Sequence, residues 1–356
     1  MKRLLGSLET QGDGPMVAAM VRGVCAQSGV RPFDPYRDLK PVAELIATAF
    51  RDILGPDGDI ALAEMRRVAR WHSLLWWLYW PDSSGTEIMS GFVWVEQGRV
   101  VGNVSLRRAR EWGGFFIGNV AVHPDWQGRG IAGALMKAAL EAIEARGGRW
   151  VGLEVRADNQ VAGRLYGQLG FQEVGRTQHF LRPAGVLLSV SLPPYPPARR
   201  GRGRDSAALV ELVYALVPQA HRVLLEIRQE DYRPNWERSL DRWLEGRRET
   251  WWVLEENGLL RGAVRTLHER GRRPDRLELL MVPSGDERLA TLLVQQGVAS
   301  LGSAAKKMVE TTLPGPGEPL VAALEAAGFQ TLRVLVQMRL DLGQRIPVRG
   351  QATRRP

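Results

Sequence analysis

The chain has 356 residues, of which 44% are apolar and 24% charged, and its formal net charge is +9. This composition excludes a disordered tail, and the length allows about two domains with buried cores. The single cysteine, Cys25, excludes an internal disulfide and a cysteine-based zinc site, and no stretch reaches the ~20 apolar residues of a membrane span. We therefore expect a cytoplasmic protein that holds no metal and does not enter a membrane.

The first predicted elements are two helices. Apolar residues at helical spacing predict a helix over 42–50, with Pro41 in its first turn, and a second helix over 61–80. The second helix carries a tryptophan cluster that suits either a core or the wall of an apolar pocket (Trp71, Trp76, Trp77 and Trp80).

The following elements alternate between strands and helices. They are predicted as strands over 91–96, 99–108 and 115–123, a helix over 130–145, a strand over 150–156, a helix over 159–169 and one or two closing strands. This order predicts an α/β fold in which helices flank a mixed, mostly antiparallel sheet.

The second half of the chain repeats the first. The segments VEQGRVVGNV at 95–104 and EENGLLRGAV at 255–264 both predict a hairpin, with turns at Gln97-Gly98 and Asn257-Gly258. Further on, the triplet at 169–171 has its counterpart at 327–329. A repeat of this length indicates two tandem domains of the same fold, each with its own sheet.

A proline-rich and then basic segment, 193–204, separates the halves and is interpreted as a linker, since proline neither continues a helix nor donates to a sheet. We therefore predict an N-terminal extension over 1–30, a first domain over 31–192, a second over 205–343 and a basic tail over 344–356. The linker arginines are interpreted as solvated charge (Arg199, Arg200, Arg202 and Arg204). No aromatic residues alternate with them as in a nucleic-acid-binding surface, so we expect no nucleic-acid partner.

The most informative segment is 117–139, where a strand ending at Val122 is followed by small residues that open a helix. Backbone N–H groups in the first turn of a helix have no internal partner and lie at the positive end of the helix dipole, so they bind phosphate. Gly128, Gly130 and Ala132 let an anion approach this backbone, and Arg129 adds a positive charge. Glycine alone would equally fit a turn without a ligand.

Two motifs, in this order, resemble the GNAT superfamily of acyltransferases. Gln127, Gly130 and Ala132 match its Q/R-x-x-G-x-G/A signature directly after a strand. One strand later, NQVAGRLYGQLGF at 159–171 resembles the Asn…Tyr…Gly-Phe motif of the same family. LEVR at 153–156 resembles the branch that acetylates the N-termini of bacterial ribosomal proteins, although the members of that branch are single domains.

The resemblance implies an acyltransferase, in the domain over 31–192, that moves an acetyl group from acetyl-CoA to a primary amine of a small molecule or protein N-terminus. Acetyl-CoA would lie between the strands that end at Val122 and Glu154 and would be attacked directly by the amine. The implied cofactor contacts are the backbone of Val120, Ala121 and Val122, the loop residues Gln127, Gly128, Arg129, Gly130, Ile131 and Ala132, and the side chains of Asn159 and Tyr166. A homodimer stays an open alternative to a monomer.

The same resemblance assigns two groups to proton transfer. Tyr166 would donate a proton to the leaving thiolate, and the alternative is a tyrosine that only packs under the cofactor. Glu154 would accept the proton of the amine through water, and the alternative is a structural carboxylate paired with Arg156 or Arg129. His123 is a weaker candidate for the base, because a histidine at that place suits a surface turn.

The second half lacks the residues of the phosphate-binding loop. Asp286 and Glu287 stand at its place and would repel a pyrophosphate, Leu324 stands where Tyr166 would be, and Gly317 stands near the place of Asn159. We expect this half to keep the fold without the cofactor site, and to complete the acceptor pocket, form a dimer surface or stabilise its partner. The alternative function for the whole chain is a non-catalytic sensor that binds acyl-CoA.

Overall fold

The structure is a computed structural model and describes residues 28–49, 90–186, 198–233, 248–269, 271, 273–301, 307–315 and 317–344. The strands of these residues are β1 (Gly29–Pro32), β2 (Ser90–Glu96), β3 (Arg99–Arg108), β4 (Gly114–Val122), β5 (Trp150–Arg156), β6 (Gln172–Arg182), β7 (Arg199–Arg200), β8 (Arg248–Glu256), β9 (Leu259–His268), β10 (Asp275–Met281), β11 (Val309–Pro314) and β12 (Gln330–Asp341). The α-helices are α1 (Pro35–Ala49), α2 (Ile131–Ala145), α3 (Gln160–Gln168), α4 (Ser206–Leu216), α5 (Gln219–Leu224), α6 (Glu287–Ser300) and α7 (Glu318–Ala326).

Within the described residues, twelve strands form one continuous sheet in the order β1-β2-β3-β4-β5-β12-β6-β11-β10-β9-β8-β7. The two halves exchange their last strands: β12 of the second half lies between β5 and β6, and β6 of the first half lies between β12 and β11. The mixed, mostly antiparallel character is confirmed, because β4 with β5 and β10 with β11 are the parallel pairs. The sequence did not predict that the two halves share one sheet.

Each half buries its own apolar core against one face of the sheet. In the first half, α2 turns one face inward because its apolar residues recur at helical spacing. These residues are Ile131, Leu135, Met136, Ala139, Leu140 and Ile143. In the second half, α6 and α7 form the corresponding core with residues such as Leu293 and Leu324, which are fully buried.

The glycines shared by the two hairpins have a packing role. A Cβ atom at Gly102 would lie 2.9 Å from the side chains of Ile131 and Leu135, and one at Gly262 would lie 2.8 Å from Leu293. Each glycine therefore lets the helix that follows the central strand pack closely on the hairpin. This brings the N-terminus of α2 next to the end of β4.

Two sequence interpretations need correction. The helix predicted to start at residue 42, with Pro41 in its first turn, is α1, which begins at Pro35 and contains Pro41 in its interior. It starts at Pro35 because Asp34 caps it there by accepting the Tyr36 N–H at 2.9 Å. Arg199 and Arg200 are not a solvated linker but strand β7, which pairs with β8. The helix predicted over 61–80, with its tryptophan cluster, lies outside the described residues, as do Cys25 and the prolines of 193–197.

Arg199 is fixed by two carboxylates. Its guanidinium lies 2.8 Å from Asp205 and 2.7 Å from Glu255, and this pairing raises the pKa of Arg199 above its usual value. The first half contains the same device, since Arg31 on β1 donates to Asp38 in the first turns of α1 at 2.7 Å. The repeat therefore begins one strand earlier in each half than the sequence indicated.

Candidate active site

The loop before α2 is open to an incoming anion. Gly128 and Gly130 both have a φ of 76°, in the left-handed region that favours glycine, and a Cβ atom at either position would meet nothing within 4 Å. Gly130 is the N-cap of α2, and no side chain caps its first turn. The structure thus leaves the N-terminus of α2 accessible, which is the arrangement that binds a phosphate group.

The side chains beside this loop hold its shape. Gln127 donates from Nε2 to the carbonyl oxygen of Val122 at 3.2 Å, which ties the loop to the end of β4. Arg129 stacks on the Trp126 ring at 4.4 Å and donates to the carbonyl oxygen of Asp125. The guanidinium of Arg129 therefore stays beside the loop in a defined position.

Strands β4 and β5 separate beside this loop. They pair only from Gly114 with Trp150 to Ile117 with Leu153, whereas β4 continues to Val122 and β5 to Arg156 without pairing to each other. A bulge at Asn119, whose φ is 50°, shifts the register between β3 and β4 at this point. The backbone of Val120, Ala121 and Val122 thus borders a wedge-shaped opening between the strands.

Glu154 lies on β5 at this opening and is exposed. It accepts a hydrogen bond from Gln337 Nε2 at 3.0 Å, across the pair formed by β5 and the exchanged strand β12. Gln337 is fully buried and also contacts Thr177 Oγ1 at 2.9 Å and His221 Nε2 at 3.0 Å. Residues of the second half therefore position the candidate base of the first.

The sequence had offered two arginines as partners of Glu154, and the structure gives them other partners. Arg156 pairs with Asp158, its Nε lying 2.9 Å from Oδ1, and Arg129 stacks on Trp126. In the described part of the chain, Glu154 forms no ion pair with either arginine. The described partner of its carboxylate is Gln337.

Tyr166 is buried in the core under α3, with its ring 6.1 Å from that of Phe171. Burial raises the pKa of Tyr166 to about 12, so the phenol is protonated at neutral pH. Among the described residues its hydroxyl has no hydrogen-bond partner. The phenol therefore holds a proton that no described residue accepts.

The remaining predicted residues are structural in the free chain. Asn159 is the N-cap of α3, and its side chain accepts the Ala162 N–H at 3.1 Å. His123 caps the short 3₁₀ turn Pro124–Trp126, accepting the Asp125 N–H at 3.4 Å. The structure thus places His123 in a surface turn at the end of β4, as its position in the sequence suggested.

Sequence reasoning missed Gln337 and His221. Gln337 follows Glu154 by 183 residues, and no local pattern connects them. Burial lowers the pKa of His221, while its bond to Gln337 opposes that shift. The repeat gives the one sequence clue to Gln337, which stands at the position in β12 that His179 occupies in β6.

The second half closes the site that the first half leaves open. Asp286 is the N-cap of α6 and accepts the Leu289 N–H at 2.9 Å, so a carboxylate occupies the helix end that is free in α2. Gly317 caps α7 where Asn159 caps α3, and Leu324 is buried where Tyr166 stands. Thr312 stands at the position in the second half that Glu154 occupies in the first, by the same offset along the chain that relates Leu324 to Tyr166.

Two further findings concern the described residues as a whole. No described helix is long and apolar enough to cross a membrane. Nor does that part of the chain contain a group of three acidic, histidine or cysteine side chains placed to hold a metal ion.

Comparisons with known proteins agree with this geometry. Residues 50–171 match the model of the acetyltransferase (GNAT) family. The chain is 32% identical over 155 residues to an uncharacterised N-acetyltransferase of Methanocaldococcus jannaschii, covering 41% of this chain and 61% of the relative. It is 46% identical over 55 residues to a ribosomal-protein alanine N-acetyltransferase of Escherichia coli, covering 15% of this chain and 37% of the relative. The chain thus spans less than two thirds of either relative.

Among solved structures, a tandem GNAT protein from the clavulanic acid biosynthesis pathway matches across both halves. The match has a TM-score of 0.54 at 16% identity and covers 88% of this chain and 98% of that protein. At this identity the likeness concerns the fold. It confirms that the repeat in the sequence is a tandem repeat of one fold.

Proposed function

We propose that the first half of this chain, of which residues 50–171 match the acetyltransferase (GNAT) family, transfers an acetyl group from acetyl-CoA to a primary amine. One observation carries the proposal: the opening between β4 and β5 lies beside the uncapped N-terminus of α2. Acetyl-CoA is a long thioester with a pyrophosphate, so it needs an opening for its chain and a helix N-terminus for its pyrophosphate. The second half offers only an opening. We also propose, from the single cysteine, that the protein works in the cytoplasm.

The residues of the opening suit acetyl-CoA as a substrate. The pyrophosphate would bind the N-terminal backbone of α2 from Gly128 to Ala132, with Arg129 adding charge attraction. The edge of β4 that faces β5 offers backbone groups from Val120 to Val122 to the amide chain of the pantetheine, because β5 pairs with β4 only as far as Ile117. The thioester would then lie between Glu154 and Tyr166.

The chemistry needs two proton transfers. The neutral amine attacks the thioester carbonyl, the bond between carbon and sulfur breaks, and CoA leaves as a thiolate. Glu154, held by Gln337, takes the amine proton through water, and Tyr166 gives its proton to the thiolate. Because burial raises the pKa of Tyr166 to about 12, the phenol holds the proton that this step needs at neutral pH.

The acceptor is proposed as an amine of a small molecule or a protein N-terminus. The relative from Escherichia coli is named as a ribosomal protein bS18-alanine N-acetyltransferase, so a peptide that offers an alanine amine belongs among the acceptors to test. Its likeness to this chain covers 55 residues, 15% of this chain, so it does not identify the acceptor.

The experiment is a thiol-release assay of the full chain with acetyl-CoA and a panel of amines: peptides with N-terminal alanine or serine, lysine, spermidine and glucosamine. We expect at least one amine to raise CoA release about tenfold or more above the amine-free rate. Acetyl-CoA binding without transfer to any amine would identify the alternative, a non-catalytic acyl-CoA sensor. No binding at all would contradict both functions.

A further inference from the structure

The second half contains a cavity of about 600 Å³ on the face of the sheet opposite α6 and α7. Its floor is formed by β6, β9, β10, β11 and β12, and its walls come from α4 and the segment after α5. Apolar side chains supply one part of the lining, among them Val213, Val217, Leu225 and Ile227. A cavity of this size and mixed lining is typical of a small-molecule site.

This cavity is the counterpart of the opening in the first half. Parallel strands β10 and β11 pair from Asp275 with Val309 to Leu277 with Thr311 and then separate, as β4 and β5 do. At the place of Glu154 stands Thr312, whose Oγ1 lies 3.1 Å from His179 Nδ1 on the exchanged strand β6. The second half therefore keeps an acceptor-side cavity although its cofactor loop is closed by Asp286.

Most charges in the lining are compensated. Glu278 accepts from Tyr232 at 2.7 Å and from Arg265 at 3.0 Å, and Arg265 also pairs with Glu249. Arg276 stands directly opposite Glu310 on the paired strands.

Arg333 is the exception. It lines the cavity from β12, its Nε atom is buried without a hydrogen-bond partner, and it forms no ion pair within the described residues. The neighbouring His179 adds no second positive charge, since burial and then Arg333 lower the pKa of His179 to about 4. One half-buried guanidinium thus faces the cavity without a counter-charge, which is unfavourable until an anion binds.

We propose that this cavity binds a small organic carboxylate with an apolar body, at a site separate from the acetyl-transfer site. The carboxylate would pair with Arg333, because a guanidinium binds a carboxylate through two parallel hydrogen bonds and one uncompensated charge matches one negative charge. The apolar body would pack against α4 and the segment after α5. The site needs neither acetyl-CoA nor the residues proposed for transfer.

The experiment is calorimetric titration of the full chain, saturated with CoA, with hexanoate, octanoate and phenylacetate and with the primary amide of each acid. Saturation with CoA keeps the probes from the loop before α2. We expect at least one acid to bind with a Kd of about 1 mM or lower, and its amide to bind at least about tenfold more weakly. Absence of binding by all three acids, or equal binding of acid and amide, would overturn the proposal.

Variants locate the site. Arg333→Gln should lower the affinity for the acid about tenfold or more, and Arg333→Lys should restore part of that loss. Arg288→Gln, on the exposed face of α6, should bind the acid with the wild-type affinity. Wild-type affinity in Arg333→Gln would overturn the assignment to this cavity. The acid-to-amide comparison needs no variant, so it decides the question even if Arg333→Gln does not fold.

Discussion

The two halves of this chain share a framework and differ at four positions of the site. An uncapped glycine loop, Asn159, Tyr166 and Glu154 in the first half correspond to Asp286, Gly317, Leu324 and Thr312 in the second. The cores, the hairpin glycines and the separating parallel strands are common to both. The proposed function therefore separates fold from cofactor site: these few positions would decide whether the framework binds CoA.

The exchange of β6 and β12 makes the halves interdependent despite this difference. The β5 edge of the first half is completed by β12, which also supplies Gln337 to Glu154. The second half has lost the phosphate-binding loop yet still positions the candidate base. Positioning of Glu154 is a further role, beside the acceptor pocket, dimer surface and stabilisation that the sequence leaves open.

The largest expected effect comes from separating the halves. A chain that ends at residue 197 lacks β11 and β12, so β5 would present one unpaired edge and β6 would lose both of its neighbours in the sheet. We expect this fragment to aggregate and to bind no acetyl-CoA. A monomeric fragment that binds acetyl-CoA as the full chain does, in calorimetry and size-exclusion chromatography, would show that the halves are independent.

The next largest effect is expected from removing the hydroxyl of Tyr166, the proposed general acid. Tyr166→Phe should lower kcat about 100-fold and leave the Kd of acetyl-CoA unchanged, because the hydroxyl acts on the leaving thiolate. The pKa of about 12 keeps the phenol protonated throughout pH 7–10, so the wild-type rate should not fall in this range through ionisation of Tyr166. Tyr214→Phe in α4, a partly exposed tyrosine, serves as control, and equal rates in both variants would contradict the assignment.

A smaller effect is expected at Gln337. Gln337→Met keeps the shape of the side chain but removes the hydrogen bonds to Glu154, Thr177 and His221. We expect kcat to fall about tenfold with a shifted pH–rate profile, and the free energy of unfolding to fall by about 1–3 kcal/mol. If unfolding changes while the pH–rate profile does not, Gln337 is structural only.

The smallest effect concerns the closed loop of the second half. Asp286→Ala removes the side-chain cap of α6 and should lower the free energy of unfolding by about 1 kcal/mol, measured by urea denaturation. Amine transfer should be unchanged, because this helix end is not proposed to bind a substrate. A loss of transfer comparable to that of Tyr166→Phe would place the second loop in the active site.

Local features of the fold and the site were accessible from the sequence. The hairpin turns at Gln97-Gly98 and Asn257-Gly258, the helix after Gly130 and the caps near Asn159 and Gly317 depend on neighbours along the chain. The exchange of strands and the bond between Gln337 and Glu154 were not accessible, since strand pairing across the chain leaves no local pattern.

Two sequence interpretations are wrong for different reasons. The start of α1 is a local matter: two prolines compete for the first turn, and the Asp34 cap decides for Pro35. The structure of the segment around Arg199 depends on a distant contact, because its partner Glu255 lies on another strand.

The most direct test of the central claim is calorimetric titration of acetyl-CoA into the wild type and two matched variants. Gly130→Glu places a carboxylate in the open loop, whereas Gly258→Glu places it in a hairpin turn of the second half with the same backbone strain, since φ is 76° at Gly130 and 77° at Gly258. We expect one acetyl-CoA per chain in the wild type and in Gly258→Glu, and an affinity lowered about 100-fold or more in Gly130→Glu. Unchanged affinity in Gly130→Glu, or two molecules bound per chain, would contradict the distinction between an open first half and a closed second half.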